Sequence, residues 1–481
     1  MTTFIAALIL YILAGTLIAL ASSRLGVRSA EDYIKAGGRV GGLLSFASYA
    51  AATYSAFMMI GLVGLTYATG AGALGFELSY LLATVILLST AGYKIWSLSR
   101  KRGWMTPPQM LRDLYSSKLL GLLTTGLYII AMIPYIAAQI QGLTVVFNYA
   151  GFNPELGVVV SAIIAYLWIL SAGMWSLATT GLYRDLVTLA GSIVFITGLL
   201  DVSGVTALNA LSTAGEKGYL GLTGFWTPQV FLAYTTPWVF FAVTNPQVVV
   251  KLFIQRDSRA YKRSVVFFAV FGLAYTLMVV IAGLIARGLT EMGLLPLIAR
   301  RDDVTVCLLS RFFDPVSSSL IAVSITAAAV SVTSNIIHVI ASSIYSELTG
   351  RVRSNPLLVL NVLGLAVTAV SSTIAYARVS HIVDLSVMTS VFLLPLAPLT
   401  LLGVYFEKHV GRYTRTASII SLVTGAGIAG ASTLINGARN AFTAVYMGIP
   451  VSLWVLVAST TVLTAGLILD SAIHGKQSLK V

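Results

Sequence analysis

The sequence predicts an all-α integral membrane protein built around two successive blocks of five spans, and three observations carry that reading. Apolar residues make up 57% of the chain and charged residues only 10%, whereas a soluble surface needs roughly 25–35% charged residues. Long apolar runs recur along the chain and are continuous rather than alternating, so they read as helices and not as barrel strands. Two of them, 42–66 and 227–250, are interrupted mid-span by helix-unfriendly residues: Thr53, Tyr54 and Ser55 in the first, Thr235, Thr236 and Pro237 in the second. Paired broken helices in corresponding positions point to a transporter's midplane binding site.

A hydrocarbon core of roughly 30 Å asks for about 20 apolar residues per helix. Thirteen segments meet that ruler: 3–22, 42–66, 73–97, 120–148, 157–175, 184–200, 227–250, 264–286, 316–345, 356–376, 382–403, 417–435 and 449–470. The first is a leading helix. No basic residue precedes it and Arg24 and Arg28 follow it, so it reads as an uncleaved anchor rather than a signal peptide. The blocks are 42–200 and 227–403, and two trailing helices occupy 417–470. Five is odd and the loop 201–226 lies between the blocks, so they start from opposite sides, the parity an inverted repeat requires. The longest polar stretches, 201–226 and 287–315, are too short for a soluble domain. The whole chain, 1–481, reads as one transporter domain.

Orientation follows from charge. Of the 30 Lys and Arg, 23 fall in one set of loops and 7 in the other, and the rich side is cytoplasmic. That set includes Arg24, Arg28, Lys35, Arg39, Arg100, Arg256, Arg259, Lys262, Arg263, Arg351, Arg353, Lys408 and Arg415. The amino terminus is then outside, the carboxyl terminus inside, and the location a plasma membrane. The net charge of +13 is explained by this topology and by attraction to anionic membrane lipid. It does not point to nucleic acid, since the chain has no tail of basic and aromatic residues. The one cysteine, Cys307, sits in an outer loop, so no intrachain disulfide can form.

The residues inside the spans narrow the chemistry. In the first broken helix small residues dominate one half, Ala47 to Ala52, which allows close helix approach. Unwinding there frees carbonyls that an ion, a ligand or water must satisfy; a close-packing helix with nothing bound is the alternative. In the ninth span Ser331, Thr333, Ser334 and Asn335 crowd four polar groups into five positions. Neutral oxygens of that kind suit a hard monovalent cation, or else simple interhelical hydrogen bonding. Ionisable residues within spans are functional suspects. Asp185 opens the sixth span beside Arg184, where it either serves a cation or caps the helix start. Glu77 and Asp384 lie near the outer ends of their spans, where solvation is expected. His338, one turn beyond Asn335, reads as a satisfied core histidine. No carboxylate chain crosses the membrane, which argues against a pure proton pump. A filter loop or acidic ring of a channel, an attached domain of a sensor, and a metal or nucleophile motif of an enzyme are all missing from the sequence.

Three stretches carry a resemblance. Ser29 to Arg39 (SAEDYIKAGGR), Asn245 to Arg259 (NPQVVVKLFIQRDSR) and Pro395 to Lys408, ending LGVYFEK, are similar in order and spacing to the sodium:solute symporter family over about residues 30–430. The resemblance implies a LeuT-type fold with one extra leading helix and two trailing ones. It implies sodium-coupled symport by alternating access, with Na+ as the coupling ion and no organic cofactor. The family's sodium site implies carbonyls at Ala51, Tyr54 and Ala329 and two adjacent hydroxyls, which fall on Val332 and Thr333; Asp185 matches the aspartate that opens the fifth core helix. Val332 is a departure, because it has no side-chain oxygen. Three accounts stay open: a weaker site completed by water, a register one residue different so that Ser331 takes part, or coupling to H+. Thr53 stands where several members place a polar side chain, and the following positions, Ala56, Phe57, Met58 and Met59, are apolar. A polyhydroxylated solute there would leave hydroxyls unpaired at about 1–3 kcal/mol each. The expected solute is small and partly apolar, proline or a monocarboxylate, with Thr53, Ser55, Phe57, Met58, Gln139, Gln141, Trp238 and Asn245 as its walls. A proton-coupled symporter or an uncoupled facilitator is the alternative.

Overall fold

The computed structural model turns each apolar run into helix; it describes residues 2–25, 27, 29–202, 204–348, 356–376 and 381–478. Arg28, Arg351 and Arg353, counted above among the basic loop residues, lie outside the described residues. The leading helix α1 (Thr2–Ser22) is followed by the short α2 (Ala30–Lys35), whose first turn is capped by the Ser29 hydroxyl. The first block contains α3 (Gly42–Ala50), α4 (Val63–Thr69), α5 (Gly72–Leu87), α6 (Tyr93–Arg102), the short α7 (Pro107–Leu114), α8 (Lys118–Tyr149), α9 (Pro154–Ala172) and α10 (Met174–Gly198). An outer-loop helix α11 (Ala207–Glu216) precedes the second block. That block holds α12 (Pro228–Val239), α13 (Phe241–Thr244), α14 (Pro246–Val249), α15 (Ser258–Glu291), the loop helix α16 (Val304–Phe312), α17 (Pro315–Leu348), α18 (Pro356–Tyr376), α19 (Ile382–Leu393) and α20 (Leu396–Tyr405). The trailing pair is α21 (Arg412–Asn440) and α22 (Val451–Ser478).

Among the described residues eight helices are long and apolar enough to cross a membrane, and α19 with α20, bent by 46°, makes a ninth. The chain is a multi-pass membrane protein. Its axis is α17: 94% of that helix's apolar window is buried, against 28% for α1. The outer helices instead turn Leu10, Leu17 and Val270 outward, as lipid-facing surfaces do.

Both broken helices are present, one where the sequence places it and one displaced. α3 ends at Ala50, and residues 51–55 are turn or irregular before Phe57–Leu62 resumes as a π-turn leading into α4. The second interruption is not at Thr235, Thr236 and Pro237, which stay helical within α12; it falls at Phe240 and at Asn245, which is extended (φ −81°, ψ 119°). At Asn245 the physical reason is Pro246, which drives the residue before it out of the α region. Pro237, two residues from the end of its helix, only loosens the last turn. The approaches to the two broken helices pair with each other: Val40 N–H donates to Ile254 O at 2.9 Å and Arg256 N–H to Val40 O at 3.0 Å.

A further correction concerns α10, which begins at Met174, ten residues before the expected start. Asp185 therefore sits in mid-helix, and its reading as a helix cap fails. The Arg184–Asp185 pair breaks the apolar run in the sequence, yet both side chains are buried, Arg184 at 0% exposure and Asp185 at 8%.

Candidate cation and solute site

The break after α3 faces α17 and α10. The Asn335 side-chain amide donates to the Ala51 carbonyl at 3.4 Å and to the Ser331 carbonyl at 2.9 Å, tying the unwound stretch to the centre of α17. From the other side, Gly181 of α10 approaches so closely that a Cβ on it would lie 3.3 Å from the Ala51 Cβ. Asp185, one turn further along α10, lies on that same face.

Of the residues expected at a cation, the structure brings Ala51 and Ser331 together through Asn335 and puts Asp185 on the Gly181 face of α10, whereas Ala329 and Thr333 share a different face of α17. Ala329 and Thr333 are one helical turn apart and buried. The Thr333 hydroxyl and Asp185 Oδ2 are buried without a hydrogen-bond partner among the described residues, a costly state for polar groups unless a ligand or water is there in the working protein. Ser331 differs: its hydroxyl accepts from Arg184 Nη1 at 3.4 Å, and it lies about 200° around the helix from Thr333. Arg184 also lies over the Trp168 ring at 4.6 Å. Val332 is fully buried and offers no oxygen. Tyr54 packs its ring on Phe268 of α15, stacked at 5.6 Å, and its hydroxyl is buried without a partner among the described residues. These are neutral carbonyl and hydroxyl oxygens plus one carboxylate, a donor set that suits a hard cation such as Na+.

Of the residues expected at the solute, Phe57 and Trp238 meet between the two broken helices. Phe57 stacks on Trp238 at 4.8 Å, and Trp238 is in turn enclosed by Phe76 at 5.6 Å, Tyr80 at 5.1 Å and Phe241 at 5.3 Å. Its indole N–H has no partner among the described residues. Gln139 of α8 is fully buried, and neither side-chain amide atom has a partner there. Three residues on, Gly142 comes so near the break that a Cβ on it would lie 2.7 Å from the Ala56 Cβ. Gln141 is buried with its Oε1 likewise unpartnered, and Asn245 accepts from the Thr244 hydroxyl at 2.9 Å while its Nδ2 is unpartnered. Thr53 and Ser55 are used locally instead. The Thr53 hydroxyl donates to Tyr49 O at 2.9 Å, and the Ser55 hydroxyl accepts from Phe57 N–H at 3.1 Å, starting the helix again. Met58 is buried core at 1% exposure.

Sequence reasoning missed two carboxylates. Glu77 and Asp384 are not solvated: they are 1% and 7% exposed. Glu77 Oε2 has no partner among the described residues. The signal that marks it is a lone acid in an otherwise apolar helix. Asp384 is paired. Arg301 Nη2 donates to its Oδ1 at 2.5 Å and the Tyr234 hydroxyl at 3.1 Å, so the outer loop is stapled to α19 and α12. Next to it, Asp302 accepts from His381 Nδ1 and Ile382 N–H, each at 3.3 Å. Asp384→Asn is expected to destabilise the purified protein by about 3 kcal/mol, because breaking a buried pair leaves the partner charge uncompensated. Thermal unfolding in detergent measures it, and an unchanged midpoint would mean that the staple is not holding the loop. His338 is as expected on one side, its Nε2 3.0 Å from Tyr33 O and its ring stacked on Tyr33.

Comparison with known proteins decides the family. The sodium:solute symporter family profile matches residues 33–425. The chain belongs to the sodium:solute symporter family. As a member of that family it is a transporter rather than an enzyme. The match includes both broken helices and all the residues described above. Among curated relatives, a monocarboxylate transport permease protein of Rhizobium johnstonii is 28% identical over 133 residues, 28% of this chain and 27% of the relative. An uncharacterized symporter of Bacillus subtilis, YodF, is 26% identical over 161 residues, 33% of this chain and 32% of the relative. The matches thus span about a third or less of these relatives. A solved structure of a Na+-coupled sialic acid symporter, substrate-bound and outward-open, superposes with a TM-score of 0.81 over 98% of both chains at 17% identity. This symporter chain therefore has the LeuT-type transporter fold.

Proposed function

We propose that this symporter couples Na+ entry to uptake of a small, partly apolar solute bearing a carboxylate, proline or a monocarboxylate, by alternating access. The observation that carries the reading is the break at residues 51–55, held by Asn335 against α17 and facing Asp185. In this reading Na+ meets the carbonyls of Ala51, Tyr54 and Ala329 and the hydroxyl of Thr333, with Asp185 supplying charge. Ser331 is committed to Arg184, so Val332 leaves the site one oxygen short. The solute lies against the Phe57–Trp238 stack, its polar groups turned to Gln139 and Asn245, and its carboxylate to the free amides at the breaks. The aromatic wall favours an apolar body over a polyhydroxylated one. The Rhizobium permease supports a carboxylate. The thirteen-span topology, with the amino terminus outside and one integral domain over 1–481, rests on the helix order above and on the loop charges.

Uptake by proteoliposomes tests this: radiolabelled proline, then acetate, lactate and pantothenate, under an imposed Na+ gradient or an imposed pH gradient. Accumulation driven by Na+ is expected. Accumulation driven only by the pH gradient, or equilibration alone, would replace this reading with proton coupling or facilitated diffusion. Within the same assay Gln139→Leu is expected to raise the KM for the solute about tenfold. The variant should unfold no earlier than the parent, since it removes a buried amide that has no protein partner. A lower melting midpoint with unchanged KM would make Gln139 a structural residue.

A further inference from the structure

Away from the broken helices, a cavity of about 390 Å3 opens between α6 and α15, lined by Ser89, Tyr93, Tyr261, Lys262, Val265 and Val266. Its back wall is unusual. Residues Leu88–Gly92 join α5 to α6 through a π-turn, a feature frequent at functional sites. The Leu88 carbonyl accepts the Tyr261 hydroxyl at 2.8 Å, and a Cβ on Gly92 would lie 2.5 Å from that hydroxyl. The rings of Tyr93, Trp96 and Tyr261 cluster at 5.3–5.8 Å beside the cavity. Clustered tyrosine and tryptophan mark the level of lipid headgroups.

The charges at this level are positive. Arg259, Lys262 and Arg263 lie along the first turns of α15. The nearby acid, Asp257, is paired with Arg256 at 3.0 Å. Lys94 is turned away, its ammonium 4.6 Å over the Tyr405 ring. Lys262 therefore provides the cation at the cavity mouth. From there an apolar rail runs along α15, Val266 at 59% exposure, Phe267 at 43% and Val270 at 65%. A cation and two hydroxyls at the aromatic belt, continued by an apolar rail, match one amphiphile. We propose that this cavity binds an anionic phospholipid, its phosphate on Lys262 with the Ser89 and Tyr93 hydroxyls and an acyl chain on the Val266–Val270 rail.

Tyr261 and Val265 also wall a small inner void whose other sides are Tyr49 of α3, Leu88, and Leu252 and Gln255 after α14. The proposed lipid thus sits behind α3 just before the first break and behind the segment that leaves the second broken helix.

The full chain in nanodiscs tests the proposal, with phosphatidylglycerol titrated into phosphatidylcholine and bound lipid counted by native mass spectrometry. Retained phosphatidylglycerol is expected to fall about fivefold in Lys262→Gln, the effect of one basic residue at a lipid surface. It should fall similarly in Ser89→Trp, which fills the cavity without changing charge, and stay unchanged in Lys408→Gln, an exposed basic position elsewhere. Both lining positions are exposed, so neither substitution threatens the fold. Equal retention of the two lipids, or Lys262→Gln retaining phosphatidylglycerol like the parent, overturns the proposal. So does inorganic phosphate displacing the retained phosphatidylglycerol from the parent protein, which would make the site a phosphate site only.

Discussion

Asp185→Asn is expected to raise the Na+ concentration for half-maximal uptake at least tenfold. The argument is electrostatic. Arg184 is fully buried, and in the proposed site its neighbour Asp185 supplies the opposing charge. Asparagine keeps the shape and removes the charge, so an incoming Na+ would meet a buried guanidinium uncompensated. Interactions with a charged group at such a site are worth about 1.5–3 kcal/mol, or roughly ten- to a hundredfold in affinity. The loss should appear in Na+ dependence and far less in solute KM at saturating Na+. If half-saturation by Na+ shifts less than twofold while the melting midpoint drops, Asp185 serves Arg184 alone and the carboxylate plays no part at the ion.

The second large effect is a pair with opposite signs. Thr333→Ala removes the one α17 hydroxyl assigned to the ion in the proposed site and is expected to weaken 22Na+ binding about tenfold. Val332→Ser adds the missing neighbour and is expected to tighten it several-fold, because a neutral oxygen replaces an apolar surface next to the cation. Val332 is fully buried, so the substitution also creates a small cavity and costs about 1–2 kcal/mol of stability. Binding and stability should therefore move in opposite directions. Loss of both would show that the added hydroxyl does not face the ion, and that the register of α17 against the break differs from the one inferred.

Much of this protein is legible in its sequence because a bilayer leaves few choices. Continuous apolar runs must become helices to satisfy their own backbone, so each expected span lies on a helix. The first break is equally local: Ala51 to Ser55 combine small and hydroxyl residues that do not hold a turn together. The sequence could not decide where the second helix gives way, since two prolines compete and only the packed structure shows that Pro246 prevails over Pro237. It could not place the start of α10 either, because an Arg–Asp pair looks like a membrane boundary until both side chains are buried together. Burial is likewise what turns Glu77 and Asp384 from solvated ends into interior carboxylates, one unpartnered among the described residues and one pinned by Arg301. The sequence by itself determined the helices, the first break and the family motifs, all of which depend on neighbours along the chain. Only the tertiary structure decided which polar groups face one another, because Ala51 and Asn335, and likewise Arg184 and Ser331, are far apart in sequence and meet only when α3, α10 and α17 pack.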